Sequence, residues 1–169
     1  GQENDNATWA LARMNMILHG NETHEILQGN TLSDPKFRSS DTLATFDYLV
    51  ANPPFSVKTW KNGFENEYGR FDGYAWPPDK NGDYAFLLHM VKSLKSTGRG
   101  VVVLPHGVLF RGGAEGRIRT ELVKRGIIKA VIGLPANLFY GTGIPACLIV
   151  LDKQDAQART GIFMVDASK

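Results

Sequence analysis

The sequence predicts one α/β domain built on a mostly parallel sheet, with an antiparallel strand near the C-terminus. Helix-type and strand-type periodicities alternate along the chain, and the central strand candidate Val101-Val102-Val103-Leu104 is apolar at every position, as in a strand covered on both faces. Only Pro135 to Pro145 separate the last two long strand candidates, too little for a helical crossover, so that pair should run antiparallel. A chain of 169 residues, 43% of them hydrophobic, can bury one ordinary core and not two.

The elements follow in order. From Asn6 to His19, Trp9, Ala12 and Met16 together with Leu11, Met14 and Leu18 recur at helical spacing, and Gly20 stands where a left-handed terminating residue belongs. Glu25 to Gln28 is a short strand candidate, closed by the turn formers Gly29, Asn30, Ser33, Asp34 and Pro35. Phe46 to Ala51 reads as a buried strand that stops at Asn52-Pro53-Pro54, because two prolines cannot continue a ladder. Asn52 to Asp83 holds Pro, Gly, Asn and aromatic residues without a sustained period, a long irregular loop of the kind kept for function.

Ala85, Leu88, Val91 and Leu94 restore helical spacing, with Asn81 or Asp83 as the cap and Gly98 and Gly100 as the stop before the Val101 to Leu104 strand. After a loop from Pro105 to Gly113, a helix from Ala114 to Arg125 offers Ile118, Leu122 and Val123 as its apolar face. Strands at Ile127 to Leu134, Ala146 to Leu151 and Ile162 to Val165 complete the sheet, which should carry helices on both faces.

Composition bounds the function. Nineteen basic against 17 acidic residues leave a net charge of +2, too small for bulk attraction to nucleic acid, so any such contact depends on local placement or on partners. Cys147 is the only cysteine and sits in the apolar run Ala146-Cys147-Leu148-Ile149-Val150, so the expectation is a buried, inert thiol, no intrachain disulfide and a cytoplasmic setting. The opening Gly1-Gln2-Glu3-Asn4-Asp5 has neither an initiator Met nor a targeting stretch, which suggests an internal part of a larger protein. His19, His24 and His89 show no metal-ligand spacing, and no metal is expected; His106 could line a pocket or serve packing.

Chemistry concentrates at Asn52-Pro53-Pro54-Phe55, directly at a strand end, where open α/β sheets bind their ligands. An exocyclic aromatic amine is a poor nucleophile because its lone pair is delocalised into the ring. Two fixed acceptors, the Asn52 side-chain oxygen and the Pro53 carbonyl, could take its two hydrogens and stabilise positive charge as it develops on nitrogen. Each proline fixes its own φ and restricts the residue before it, so both acceptors are aimed in advance. Phe55 offers a face on which an extruded base can stack. The bland alternative is a Pro-rich turn.

The motif resembles the Asn-Pro-Pro-aromatic signature of the amino-methyltransferases. The longer runs are similar to the modification subunits of type I restriction-modification systems, the N6-adenine DNA methyltransferases: Gly1-Gln2-Glu3 through Ala12-Arg13-Met14-Asn15-Met16-Ile17-Leu18-His19-Gly20, Asp83-Tyr84-Ala85-Phe86-Leu87, Leu104 through Glu115, and Leu134 through Pro145. The resemblance implies a Rossmann-like S-adenosylmethionine-dependent methyltransferase fold whose first strand and Gly-rich cofactor loop precede the segment matching Gly1. Residues 1–169 would then be a partial catalytic domain with the N-terminal part of the fold missing. Such a piece is expected to be inactive alone, with the Phe46 to Ala51 strand left as an unpaired edge through which it associates, or with residues before about Leu43 loosely docked.

The same resemblance places Glu3 on the cofactor ribose, where residue type alone equally suits a helix-dipole charge. Asn30 falls where the family usually has an acid for the cofactor's adenine amine; its amide oxygen could accept that bond more weakly or could close an Asx turn. Phe139 or Tyr140 would lie across the target base from Phe55. The implied partners are double-stranded DNA, a specificity subunit that reads the site, and a restriction subunit. Lys58, Lys61 and Arg111 are the DNA-backbone candidates, with Arg70 in the same loop, while Lys124 and Arg125 read as a solvated helix face beside Arg117 and Arg119. Two other readings stand beside this one: a protein glutamine methyltransferase, since an amide nitrogen poses the same chemical problem, and a non-catalytic assembly or DNA-binding piece.

Overall fold

The computed structural model describes residues 1–140 and 142–168. The first unit is small. Strands β1 (Gln2–Glu3) and β2 (Leu27–Gln28) pair in parallel around helix α1 (Asn6–Leu18). Asp5 caps α1 by accepting from the Thr8 N–H at 2.8 Å, and Gly20 takes the left-handed conformation expected of it, at φ 71°. Trp9 donates to the Ile26 carbonyl at 2.8 Å, which fixes the helix against β2. Yet α1 buries no residue, and Leu11, Met14, Ile17 and Leu18 are all exposed.

The second unit is the main sheet. Strands β3 (Phe46–Ala51), β4 (Leu94–Pro105), β5 (Ile128–Gly133), β6 (Ala146–Asp152) and β7 (Phe163–Asp166) lie in the order β3-β4-β6-β5-β7. β3 is parallel to β4 and β7 to β5, while β6 runs antiparallel to both neighbours, so the short connection between β5 and β6 has the predicted consequence. Helices α2 (Asp83–Lys92), α3 (Gly107–Phe110) and α4 (Gly113–Lys124) complete the chain's main elements. Leu87, Leu88 and Met90 of α2 meet Ile118 and Leu122 of α4 and Val102, Leu104, Ile149 and Leu151 of the sheet in one core. Cys147 is fully buried within it, and burial pushes its thiol up to about 11, as an inert residue requires.

Three expectations need correction. Gly98 and Gly100 do not stop a helix: α2 ends at Lys92 and both glycines lie inside the longer strand β4. A side chain at Gly98 would come within 2.8 Å of the Phe46 carbonyl oxygen, so the bare backbone is what lets the two strands approach at this irregular point of their register. Second, the Phe46 to Ala51 strand is not buried. It is the edge of the described sheet, with Tyr48 75% and Val50 81% exposed, because only Leu49 and Ala51 face the core.

Third, the helices do not cover both faces. Val50, Val101, Val150 and Ala130 are register partners across the strands, as are Val103, Leu148 and Ile132, so these residues share the face opposite α2 and α4. The contacts of α1 fall on β1 and β2. The segment before Leu43 is not loosely docked as a whole, since Leu32 is 1% exposed and belongs to the main core.

Its anchor is Arg70, a buried guanidinium that donates to the carbonyls of Leu32 at 2.8 Å and Glu65 at 2.9 Å and lies over the Phe64 ring. Burial pulls its pKa down to about 10, and beside it burial plus the Arg70 charge push the His89 imidazole from 6.5 down to about 3. The unfolded chain therefore takes up a proton at His89 that the folded chain refuses. Stability associated with this residue is complete above pH ~6.5 and is lost as the pH falls towards 3. Urea titrations of His89→Gln are expected to show a shallower acid decline than the parent over that window, and parallel curves would contradict the assignment. For the open edge, the 169-residue chain should associate in light scattering and Val50→Lys should shift it towards monomer, as charge on an edge strand blocks strand addition. A monomeric parent chain would refute this.

Candidate active site

Because β3, β4 and β5 run in one direction, the loops that leave them emerge along a single edge of the sheet. The loop after β3 carries the motif, the loop after β4 carries α3, and the loop from β5 to β6 carries Phe139. The His106 N–H donates to the Pro145 carbonyl at 2.9 Å, tying the second loop to the third. At the end of β3, Asn52 is exposed, Pro53 buried, Pro54 exposed and Phe55 half-buried. Phe55 meets Phe139 edge to face, with centroids 6.1 Å apart and planes at 85°. Tyr140 is fully exposed, so of the two expected aromatics it is Phe139 that faces Phe55. A flat ring cannot lie between these two until one of them turns.

The turn is held from behind. Ser56, immediately after Phe55, has φ 52°, a left-handed conformation unusual for a residue with a side chain. Its N–H donates to Asp83 Oδ1 at 2.7 Å and its hydroxyl to Oδ2 at 3.4 Å. Asp83 is completely buried at the start of α2, and Arg111 donates to its Oδ2 at 2.6 Å. The same guanidinium donates through Nε to Glu115 of α4, also buried. Burial opposes the Arg111 charge, but the bonds to Glu115 and Asp83 outweigh it and hold the pKa above its ordinary value. Sequence reasoning treated Arg111 as a DNA contact and Asp83 as a cap. The structure engages both in fixing the motif.

The loop from Asn52 to Asp83 is irregular but well packed. Trp60, Phe64, Phe71 and Trp76 form a set of ring contacts, with Phe64 and Phe71 stacked at 5.1 Å, and Trp60 donates to the Pro78 carbonyl at 2.9 Å. The aromatic residues recurring through this stretch were the signal that it packs into the main core, to which Trp60 and Phe71 belong. Lys58 is exposed, whereas Lys61 pairs with Asp79 and lies 5.7 Å from the Trp76 ring centroid. Arg70 is 2% exposed and cannot reach a ligand. Arg125 is exposed, as read, and also donates to the Gly73 carbonyl at 2.8 Å and stacks on Tyr74, while Arg119 donates to the Val108 and Arg111 carbonyls.

The cofactor candidates stand apart from these. Glu3 ends β1 half-buried, with Oε1 accepting from the Asp5 N–H at 2.9 Å and Oε2 left for another donor. Asn30 closes an Asx turn, its Oδ1 accepting from Leu32 N–H at 2.9 Å and Ser33 N–H at 3.3 Å. Its acceptor is thus already engaged, and Glu3 is the better-suited group for a ribose. Of the family-like segments, Gly141 lies outside the described residues. His106 is half-buried, and its Nε2 has no hydrogen-bond partner among the described residues. Among the described residues no helix is long and apolar enough to cross a membrane.

Among known proteins this chain has clear relatives. The chain is 35% identical to the methylase subunit of the type I restriction enzyme MjaVII of Methanocaldococcus jannaschii, over 99% of its own length and 30% of that protein's. It is 33% identical to the corresponding MpnII subunit of Mycoplasma pneumoniae, over 99% of its length and 32% of the relative's. In structure it resembles the methyltransferase subunit of a type I restriction-modification system from Streptococcus thermophilus, with TM-score 0.82 and 41% identity across 99% of this chain and 36% of that one. A Listeria monocytogenes S-adenosylmethionine-dependent methyltransferase, 15% identical at TM-score 0.66, shares the fold. The chain therefore spans about a third of such proteins. The N-6 DNA methylase family profile matches residues 1–169, and the chain belongs to that family.

Proposed function

We propose that the protein containing this chain is the modification subunit of a type I restriction-modification system, and that it methylates N6 of an adenine extruded from double-stranded DNA. The carrying observation is the strand-end turn Asn52-Pro53-Pro54-Phe55, with both acceptors preset by proline and Phe55 facing Phe139. When bound, S-adenosylmethionine supplies a methyl group activated by its sulfonium. The Asn52 side-chain oxygen accepts one N6 hydrogen and the Pro53 carbonyl the other, which turns the nitrogen lone pair out of conjugation. Once the nitrogen had taken the methyl group, Asn52 and the Pro53 carbonyl would hold the amine while one of its hydrogens passed to water as a proton.

Phe55 and Phe139 hold the base plane, and Glu3 is positioned to hold ribose hydroxyls. Lys58, exposed in the motif loop, is the backbone contact that the geometry leaves open; Lys61 contributes only by exchanging Asp79 for phosphate. A specificity subunit reads the DNA site, a restriction subunit completes the complex, and the setting is cytoplasmic. Residues 1–169 act as part of a catalytic domain and do not turn over alone.

Asn52→Ala in the complete subunit is expected to leave cofactor binding intact and to raise the barrier by about 2 to 3 kcal/mol, the scale of one lost transition-state acceptor. Radiolabelled methyl transfer to unmethylated DNA measures it, and near-normal turnover would sink the assignment. Phe55→Ala should weaken base capture by about 1 to 3 kcal/mol, with Phe55→Trp milder. A fluorescent base analogue at the target position reports this, and an unchanged signal with the Ala variant would rule out stacking.

A further inference from the structure

Resting on the methyl-transfer reading, we infer that Asp83, gripped by an Arg111 that Glu115 holds in turn, is a positioning residue that aims the acceptors of Asn52 and Pro53 by enforcing the left-handed turn at Ser56. An L-residue is held in that region only when its surroundings overdetermine it. Here the restraint comes from one carboxylate, which takes both the N–H and the hydroxyl of Ser56. Only Phe55 separates Ser56 from the Pro-Pro pair, so a Ser56 that relaxed to negative φ would swing the Phe55 ring and the motif carbonyls together.

The grip on Asp83 reaches further than the motif. Arg111 ends the α3 segment, and its own carbonyl accepts from Arg119 at 3.0 Å, while the Val108 carbonyl accepts from Arg119 at 2.9 Å and from the Tyr84 hydroxyl at 2.7 Å. Asp83 and Tyr84 are neighbours at the start of α2. The loop after β4 and the motif loop after β3 are thus fastened to the same helix turn, and the loop carrying Phe139 is fastened to the first of these through His106 and Pro145. The three loops of the site share one internal brace. Asp83 touches no part of the proposed substrate; it acts through Ser56.

The test uses the complete methylase subunit with its specificity partner, labelled S-adenosylmethionine and DNA lacking adenine methylation. Asp83→Asn keeps the shape and an acceptor but removes the charge that binds Arg111, and it is expected to lower kcat by ~10-fold or more while the cofactor KM stays within ~2-fold. Glycine adopts positive φ without cost, so in the Ser56→Gly background the same Asp83→Asn change should cost at least ~3-fold less in kcat. A packing role for Asp83 would not be relieved by a change at Ser56. Equal losses in the two backgrounds, or a loss confined to KM, overturn the inference.

If Asp83→Asn fails to fold, Arg111→Lys is put through the same comparison and judged by the same criterion, because it removes the fork that joins Asp83 to Glu115 and so loosens the carboxylate that restrains Ser56. Asn52→Ala, measured alongside, separates the two levels. Its full activity would remove the methyl-transfer reading and this inference with it. An inactive Asn52→Ala combined with background-independent losses at Asp83 would overturn the inference alone.

Discussion

A carboxylate with no access to water must find its donors inside the protein, and Asp83 finds them on two segments at once. Its oxygens take the Ser56 N–H and hydroxyl from the motif loop and the Arg111 guanidinium from the loop after β4, and Arg111 in turn holds Glu115 on α4. Removing one partner from such a buried pair costs about 3–5 kcal/mol, because the other charge is stranded. Neither loop can therefore drift independently. The sheet supplies direction by bringing three strands to one edge, and the Asp83 cluster turns that shared direction into a fixed relation between loops.

The long loop after the motif obeys the same logic with different chemistry. Its aromatic cluster of Trp60, Phe64, Phe71 and Trp76 buries apolar area that an irregular backbone would otherwise leave wet, and Arg70 takes up carbonyls of the neighbouring segments. Among the described residues Arg70 forms no salt bridge with a carboxylate. Its charge is spread over the Phe64 ring at 4.4 Å and over backbone oxygens, and this suits a residue that joins loops rather than one that meets a ligand. The turn at Asn30 to Leu32 is fixed from two sides, by its own Asx bonds and by Arg70. The loop that sequence reads as irregular is the clamp between the small sheet and the large one.

What was legible in the sequence were features with a local cause. The α1 periodicity and its Gly20 stop, the abrupt end of β3 at two prolines, the antiparallel β6 and the buried Cys147 each follow from a short stretch of chain. So did the motif. Features set by distant partners were not legible: Arg111 looks like any loop arginine until Asp83, 28 residues earlier, is seen beside it. Gly98 looks like a helix stop until the Phe46 carbonyl is found pressed against it. The exposure of β3 was legible only through the family resemblance, because an apolar strand has the same composition whether or not a neighbour lies beyond its edge. Nothing in Val50 itself reports the missing contact.

The ring pair at the motif shows how these constraints meet in function. An edge-to-face pair such as Phe55 and Phe139 is worth about 0.5–1.5 kcal/mol beyond its buried area, whereas a base stacked on an aromatic gains about 1–3 kcal/mol. In the proposed reaction, exchanging one for the other yields only a small net gain, against a few kcal/mol needed to unstack a paired base from the duplex. Stacking alone therefore cannot drive extrusion. The remainder must come from acceptors already in place when the base arrives, since a motif that had to be organised at that moment would add its own ordering cost. A turn preset by two prolines and locked through Ser56 to a buried carboxylate has met that cost during folding, and the loop that presents the Phe139 ring is joined to the same brace through His106 and Pro145.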